Sequence, residues 1–569
     1  MAAVPSFPDA DSSAVALSTA HALHRQGLLA EAEVLYRQIL QSQPQQVDAL
    51  QLLALIEAQN QRPAEAIALF DAALALRPDL VSAWVNRGVA LQALKRTEAA
   101  VASYERALAL QPGHVTALFN RAAVLQQLKR NHEALAGFDA VLRASPQNEA
   151  SLFSRSVLLL ELGRYAEALG ACESCLALKP DSVDSLIQQG KLLTLLGRAD
   201  QGLRSFDRVV QLDPGHSDAL HFRGFALQQL GRHLEARDSY VRACALRPDH
   251  AKAQRDEGLC ALLLGDFVQG WRQYEWRFNQ EERVAPSRDF GVPRWHGTEA
   301  LEGRTILLHF EQGLGDTIQF CRYAKALAQQ GARVILEVQE PLKSVLAQVE
   351  GVHSIIAHGE PLPTFDLYCP LLSLPLAFGT DLSSIPAPAA LRAGERHVAA
   401  WKRRLGKDTR PRVGLVWSGN SFHISDQSRS IPLADFSQIL CEGAAYCSLQ
   451  TEVREADRLA LKARPEIRIC SDQIRDFSDT AALIEAMDLV ITVDTSVAHL
   501  AGSMGKPVWI LLPANPDWRW MLERDDSPWY PTARLFRQPE QGDWSSVLHR
   551  VREALVDLVE RDERQGAGG

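Results

Sequence analysis

Pro44, Pro78, Pro112, Pro146, Pro180, Pro214 and Pro248 stand 34 residues apart without a slip, mostly in the setting Leu-x-Pro-(Asp/Gly). A ladder of that period marks one supersecondary unit stacked on itself. Two further positions of the unit are always small. One reads Ala20, Ala54, Gly88, Ala122, Ser156, Gly190, Gly224 and Gly258; the other reads Ala32, Ala66, Ala100, Ala134, Ala168, Gly202, Ala236 and Gly270. A third is mostly aromatic: Tyr36, Phe70, Tyr104, Phe138, Cys172, Phe206, Tyr240 and Tyr274. Small residues let two helix backbones approach and the aromatic ring fills the space beside them, so each unit reads as a helix pair.

These positions resemble the tetratricopeptide repeat, in eight copies over residues 13–284 after a flexible stretch at 1–12; the last copy is degenerate and lacks its Pro. The resemblance implies a right-handed superhelix whose concave groove takes a protein or peptide. One pair alone has too little core, so neighbours bury each other's apolar faces. Cys172 and Cys175 spell CxxC, but they fall on core positions of the repeat, which favours core filling over redox chemistry. His114, His216 and His250 come after the Pro turns and read as solvated turn residues, not metal ligands. Trp271, Tyr274 and Trp276 in GWRQYEWRF either close the superhelix against the next part of the chain or form an aromatic platform for a ligand. Residues 285–303 read as a linker.

Composition narrows the class. The chain has 569 residues, with 60 Lys and Arg against 69 Asp and Glu, a net charge of −9; that balance argues against a nucleic-acid partner. Its longest apolar runs fall far short of the roughly 20 residues of a membrane span, so no transmembrane segment is expected. The acidic start MAAVPSFPDADSS does not resemble a signal peptide, which leads to a cytoplasmic expectation. Nine scattered Cys suggest reduced thiols rather than a disulfide framework.

From Thr305 the period changes. TILLHF, RVILEV and HSIIAH, then RVGLVW, AYCSLQ, IRIC, DLVITV and PVWILL, are short apolar runs separated by helical stretches. That alternation predicts βαβ units with parallel sheets. They divide into two Rossmann-like domains, 304–410 and 411–562, with helices at Glu395–Leu405 and near Trp544–Arg561. The fold class is therefore α + α/β, a helical solenoid followed by two Rossmann-like domains facing across a cleft. Ligands of such sheets bind beyond the carboxyl ends of the strands.

Three loops at those ends carry the candidate chemistry. EQGLGDTIQF places Gln312, Gly313 and Gly315 in a tight turn and Asp316 at a helix start, either as a general base for a hydroxyl or as a plain helix cap. VDTSVAHLAGSMGKPVW starts a helix at Thr495 and Ser496, whose free N–H groups and dipole suit a diphosphate. His499 lies one turn on, either on the ligand or packed against the sheet, and Gly502 and Gly505 are expected to end that helix. WSGNSFHISDQSRSIPL offers Arg429 and Ser430, and Arg429 can grip a phosphate bidentately. The aromatic loop Trp518–Tyr530 either stacks a base, walls the cleft or simply packs.

EQGLGD, Asp494-Thr-Ser-x-x-His-Leu500 and Gly505-Lys-Pro-Val508 together resemble the heptosyltransferases of glycosyltransferase family 9, over residues 300–560. The resemblance implies a GT-B fold and an inverting transfer of sugar from a nucleotide-diphosphate donor to a hydroxyl, with no metal and no other cofactor. It places Asp316 as general base and Asp494, Thr495 and His499 at the donor, with Arg429 near the position of a phosphate-binding Lys. Ser496 departs from the Gly usual in that donor motif. The repeats imply a protein or peptide acceptor. A protein-binding scaffold with an inactive or nucleotide-sensing half, and a transferase acting on a cell-envelope glycan, stay open as alternatives.

Overall fold

The computed structural model describes residues 10–279, 288–421 and 426–566. The first nine residues of the expected flexible start, residues 285–287 of the expected linker, and 422–425 of the Arg429 loop lie outside the described residues. The chain divides into two compact units, Met1–Pro214 and Gly215–Gly569.

The first unit is a helical solenoid running from the helix Ala10–Arg25 to the helix Ala199–Leu212. First helices of 13 residues, such as Val81–Ala93, alternate with second helices of 14, such as Thr97–Leu110. The small and aromatic positions meet as their spacing requires. A methyl group on Gly88 would sit 2.5 Å from the Tyr104 ring, and one on Gly190 equally close to Phe206. Cys172 fills the same aromatic slot, fully buried with its thiol on the Ser185 carbonyl. Burial pushes that thiol up to about 12, which suits packing and not redox work.

A second ladder of period 34 sets the turn inside each pair. Gly27, Gln61, Lys95, Lys129, Gly163 and Gly197 all have positive φ, and Gly231 and Gly265 continue it in the second unit. The repeat histidines are not solvated turn residues. His114, His216 and His250 each accept a hydrogen bond from the backbone N–H three residues on, capping the helix they precede, and His250 is buried.

The second unit holds the four remaining repeat helices, Ser217–Gln229, His233–Leu246, Ala251–Leu263 and Phe267–Tyr274, followed by two parallel sheets. The first sheet has the order β3-β2-β1-β4, from β1 (Thr305–His309), β2 (Arg333–Val338), β3 (Val352–Ala357) and β4 (Leu367–Pro370). The second has the order β10-β9-β8-β5-β6-β7, from β5 (Arg412–Val416), β6 (Ala445–Ser448), β7 (Ile467–Ile469), β8 (Leu489–Val493), β9 (Val508–Leu512) and β10 (Ala533–Arg537). Strands β4 and β10 are not expected from sequence. LYCP is short and ends in Pro, and ARLFR lies at an edge with exposed Arg534. The helix Glu395–Leu405 has its expected bounds, and the C-terminal helix runs Trp544–Gly566.

Both sheets change direction of winding once, between β1 and β4 and between β5 and β8. A crevice opens at each such switch because the crossovers leave on opposite faces. EQGLGD comes directly after β1, the Arg429 loop after β5, and Asp494–Ser496 after β8. Among the described residues no helix is long and apolar enough to cross a membrane, and all nine cysteines are free.

Candidate functional site

The loop after β1 turns at Gly313 into the short helix Leu314–Phe320. Asp316 caps that turn, its Oδ2 accepting from the Gly313 N–H at 2.8 Å. The residue is thus more than a plain cap, because its other oxygen, Oδ1, pairs with Arg519. Burial pushes the Asp316 carboxyl above its ordinary value, Arg519 opposes that, and the Asp517 carboxylate adds to it.

Arg519 is a site residue that sequence reasoning missed. Its guanidinium also meets Asp517 at 2.9 Å and Gln319 Oε1 at 2.6 Å, and lies 4.3 Å from the centre of the Trp518 ring. The signal was an Arg flanked by two Trp in a loop beyond a buried strand: a charge so placed needs acidic partners. The surrounding aromatic loop packs. Trp518, Trp520, Trp529 and Tyr530 are all buried.

Thr495 is the N-cap of the helix Ser496–Ser503, in extended backbone and without a side-chain cap bond. Its hydroxyl lies 3.1 Å from that of Thr492. Asp494, Thr495 and Ser496 are half-buried at the crevice of the second sheet. Burial, then the neighbouring Asp517, pushes Asp494 up to about 6, while Arg429 pulls it down. Arg429 donates from Nη1 to the Asp494 carbonyl at 2.9 Å, which ties the loop after β5 to the loop after β8. Ser430 braces that loop: its hydroxyl donates to Asp426 and accepts from the Gly419 N–H. Arg454, also missed, bonds Asp426, the Gly419 carbonyl and Ser430.

His499 is buried, with Nδ1 2.9 Å from the Tyr530 hydroxyl and its ring stacked on Trp520 at 5.5 Å. Burial, with Arg519, Arg322 and Arg429 around it, holds the imidazole well below its ordinary value. It is neutral at pH 7 and brings no positive charge to a diphosphate. Its edge lies on Gly315, where a methyl group would sit 2.6 Å from Cδ2. Gly502 lies inside the helix rather than at its end, because the Tyr530 ring packs where a side chain would be; Gly505, at φ 72°, comes after the helix end at Ser503.

The structure therefore gathers Asp316, Gly313 and Gly315 from the first sheet with His499 from the second. Arg429, Asp494, Thr495 and Ser496 form a second group at the β5–β8 crevice. Gln312 turns away from both, its Nε2 donating to the Tyr274 hydroxyl at 2.8 Å. A cavity of about 840 Å³ lined by Arg410, Tyr446 and Arg552 opens at the amino ends of β5 and β6, the edge opposite to these loops.

Comparison with known proteins finds matches in both halves. Tetratricopeptide repeat models match residues 81–114, and 15–81, 124–183 and 223–269. The model for glycosyltransferase family 9 (heptosyltransferase) matches residues 447–537, the stretch that carries Asp494–His499 and Arg519. The chain joins tetratricopeptide repeats to a glycosyltransferase family 9 domain. Asp316 and Arg429 lie outside the matched residues. Protein FlbA of Caulobacter vibrioides is 27% identical over 323 residues, which are 52% of this chain and 54% of FlbA, so the match spans about half of that relative's length. Among solved structures, YrrB, described as a TPR protein with an unusual peptide-binding site, is 25% identical with a TM-score of 0.31, covering 33% of this chain and 98% of YrrB. Pseudomonas aeruginosa PilF is 21% identical with a TM-score of 0.33, covering 37% of this chain and 96% of PilF.

Proposed function

We propose that this chain is an inverting glycosyltransferase of the GT-B type, moving a sugar from a nucleoside-diphosphate donor to a hydroxyl of a protein or peptide held by its repeats. One observation carries the reading: the carboxylate of Asp316, beyond the first sheet, is paired with Arg519 of the segment that follows β9 in the second. The donor diphosphate rests on the first turn of the helix Ser496–Ser503, where the Thr495 side chain makes no cap bond, with Arg429 beside it. Asp316 takes the proton of the acceptor hydroxyl as its oxygen attacks the anomeric carbon. The bond to the phosphate oxygen breaks, the nucleoside diphosphate leaves with the electron pair, and one displacement inverts the centre. Arg429, Arg519 and the helix dipole offset the charge of the leaving group, so the transfer proceeds without a metal. Activity unchanged by EDTA is the expected result.

Calorimetry of the full chain with UDP, GDP, ADP and dTDP, then hydrolysis of the corresponding sugar nucleotides, tests the reading. Asp316→Ala is expected to keep nucleotide affinity and to lose turnover by about 10²–10⁴-fold, the usual share of a general base. Turnover equal to wild type in that variant sinks the assignment. A second reading, a nucleotide-sensing scaffold, is favoured by the engagement of both Asp316 oxygens, one by Gly313 and one by Arg519. Nucleotide binding with no turnover of any donor decides for it. Incorporation of labelled sugar into cell-envelope glycan rather than protein decides for a glycan acceptor.

A further inference from the structure

The eighth repeat does more than end the solenoid. Its closing helix, Phe267–Tyr274, and the turn after it bond and pack against the segments that carry the two members of the Asp316–Arg519 pair. On one side, next to Asp316 in sequence, the Tyr274 hydroxyl accepts from Gln312, whose carbonyl accepts from Gln339 Nε2 at 2.8 Å. Arg277, 5% exposed, grips Glu311 with two bonds of 3.0 and 2.9 Å and bonds Ser373 and Glu275 with its remaining donors. Glu311 and Gln312 immediately precede Gly313, whose N–H holds Asp316. On the other side the Trp271 ring meets the Trp518 ring edge-on at 5.1 Å, and its indole N–H donates to the Thr380 carbonyl at 3.0 Å. Trp518 carries the Arg519 guanidinium on its face.

A purely structural closure would be served as well by apolar packing, since a buried ion pair adds little net stability over a hydrophobic substitute. What a two-pronged arginine fork adds is direction. We propose that Tyr274 and Arg277 of the last repeat are positioning residues of the transferase, which set the EQGLGD backbone so that Asp316 faces the acceptor. Neither touches a reacting atom. The inference rests on Asp316 being the base.

The test uses the full chain with Tyr274→Phe, which keeps the ring, and Arg277→Lys, which keeps the charge but not the fork. Each is assayed for hydrolysis of the UDP-, GDP-, ADP- and dTDP-sugar panel, with its pH profile, and for nucleoside-diphosphate affinity by calorimetry. The expected result is a fall in kcat of fivefold or more, an altered acid limb, unchanged KM for the donor and unchanged nucleotide affinity. Variants with wild-type kcat and pH profile, whatever their melting temperature, overturn the inference while leaving Asp316 as the base. A wild-type chain that hydrolyses none of the panel, or an active Asp316→Ala, overturns both. Should Arg277→Lys fail to fold, Tyr274→Phe alone decides by the same readouts.

Discussion

The imidazole of His499 lies against the backbone of Gly315, so close that a side chain at 315 would collide with it. The contact explains the second glycine of EQGLGD: the residue facing it belongs to the other sheet. It also joins the short helix that carries Asp316 to the helix that opens at Thr495. Gly315→Ala must therefore displace either the His499 ring or the loop. Overpacking of this kind costs about 1–3 kcal/mol. A lower melting temperature with a larger proportional loss of kcat than of nucleotide affinity is expected, measured by calorimetry and donor hydrolysis.

Arg519 opposes the burial that raises the Asp316 carboxyl above its ordinary value. Its positive charge favours the carboxylate, against the desolvation and the Asp517 charge that favour the neutral acid. Arg519→Gln removes that support and raises the Asp316 pKa further. A base works only when deprotonated, so the acid limb of kcat/KM is expected to move to higher pH in the variant. A limb that stays in place shows that another group titrates in the rate.

The repeats were legible in sequence because their constraint is local: a ring at Tyr104 needs a missing side chain at Gly88, sixteen residues before it, and the other copies keep a small residue at that position. The sheets were legible from their apolar runs, except for β4 and β10, whose LYCP and ARLFR are interrupted by Pro370 and by Arg534. Asp316, Asp494 and Thr495 could be placed because strand ends and helix starts have recognisable residues. Arg519 could not be joined to Asp316, since more than two hundred residues separate them and only the folded crevice makes them partners. The neutrality of His499 was equally hidden, because it is caused by burial and by three arginines far apart in the sequence.

Asp494 gives a stability signature that separates a retained functional charge from a structural one. Burial raises its pKa to about 6 from an ordinary carboxyl value of 3.8. Between those two values the folded chain holds a proton that the unfolded chain releases, so this group's contribution to stability falls as pH rises through the window. Above pH 6 the ionised carboxylate is a fixed cost. Asp494→Asn removes that cost and leaves the Arg429 bond to the backbone carbonyl in place. The variant is expected to melt higher than wild type at pH 7.5, with the difference shrinking towards pH 4, and to have lower transferase activity. Melting curves across that range check it, and a constant difference at all pH values would exclude the titration.

The turn ladder yields a prediction free of any functional assumption. Lys95 adopts φ 57°, Gln61 φ 58° and Lys129 φ 59°, at the position where Gly27, Gly163, Gly197, Gly231 and Gly265 stand in the other repeats. The left-handed region strains a side chain at Cβ and costs a glycine nothing, although glycine loses more freedom on folding. Relief of strain outweighs the entropy at a position already fixed by the helix pair around it. Lys95 belongs to the first unit, and Asp316 and Asp494 to the second. Lys95→Gly is therefore expected to stabilise the solenoid by about 0.5–1 kcal/mol. Lys95→Val at the same position destabilises it, because β-branching makes that backbone region costlier still. Urea unfolding of the two variants beside wild type reads the difference directly, and a glycine variant less stable than wild type would show that the turn is held by side-chain contacts of Lys95 and not by its backbone.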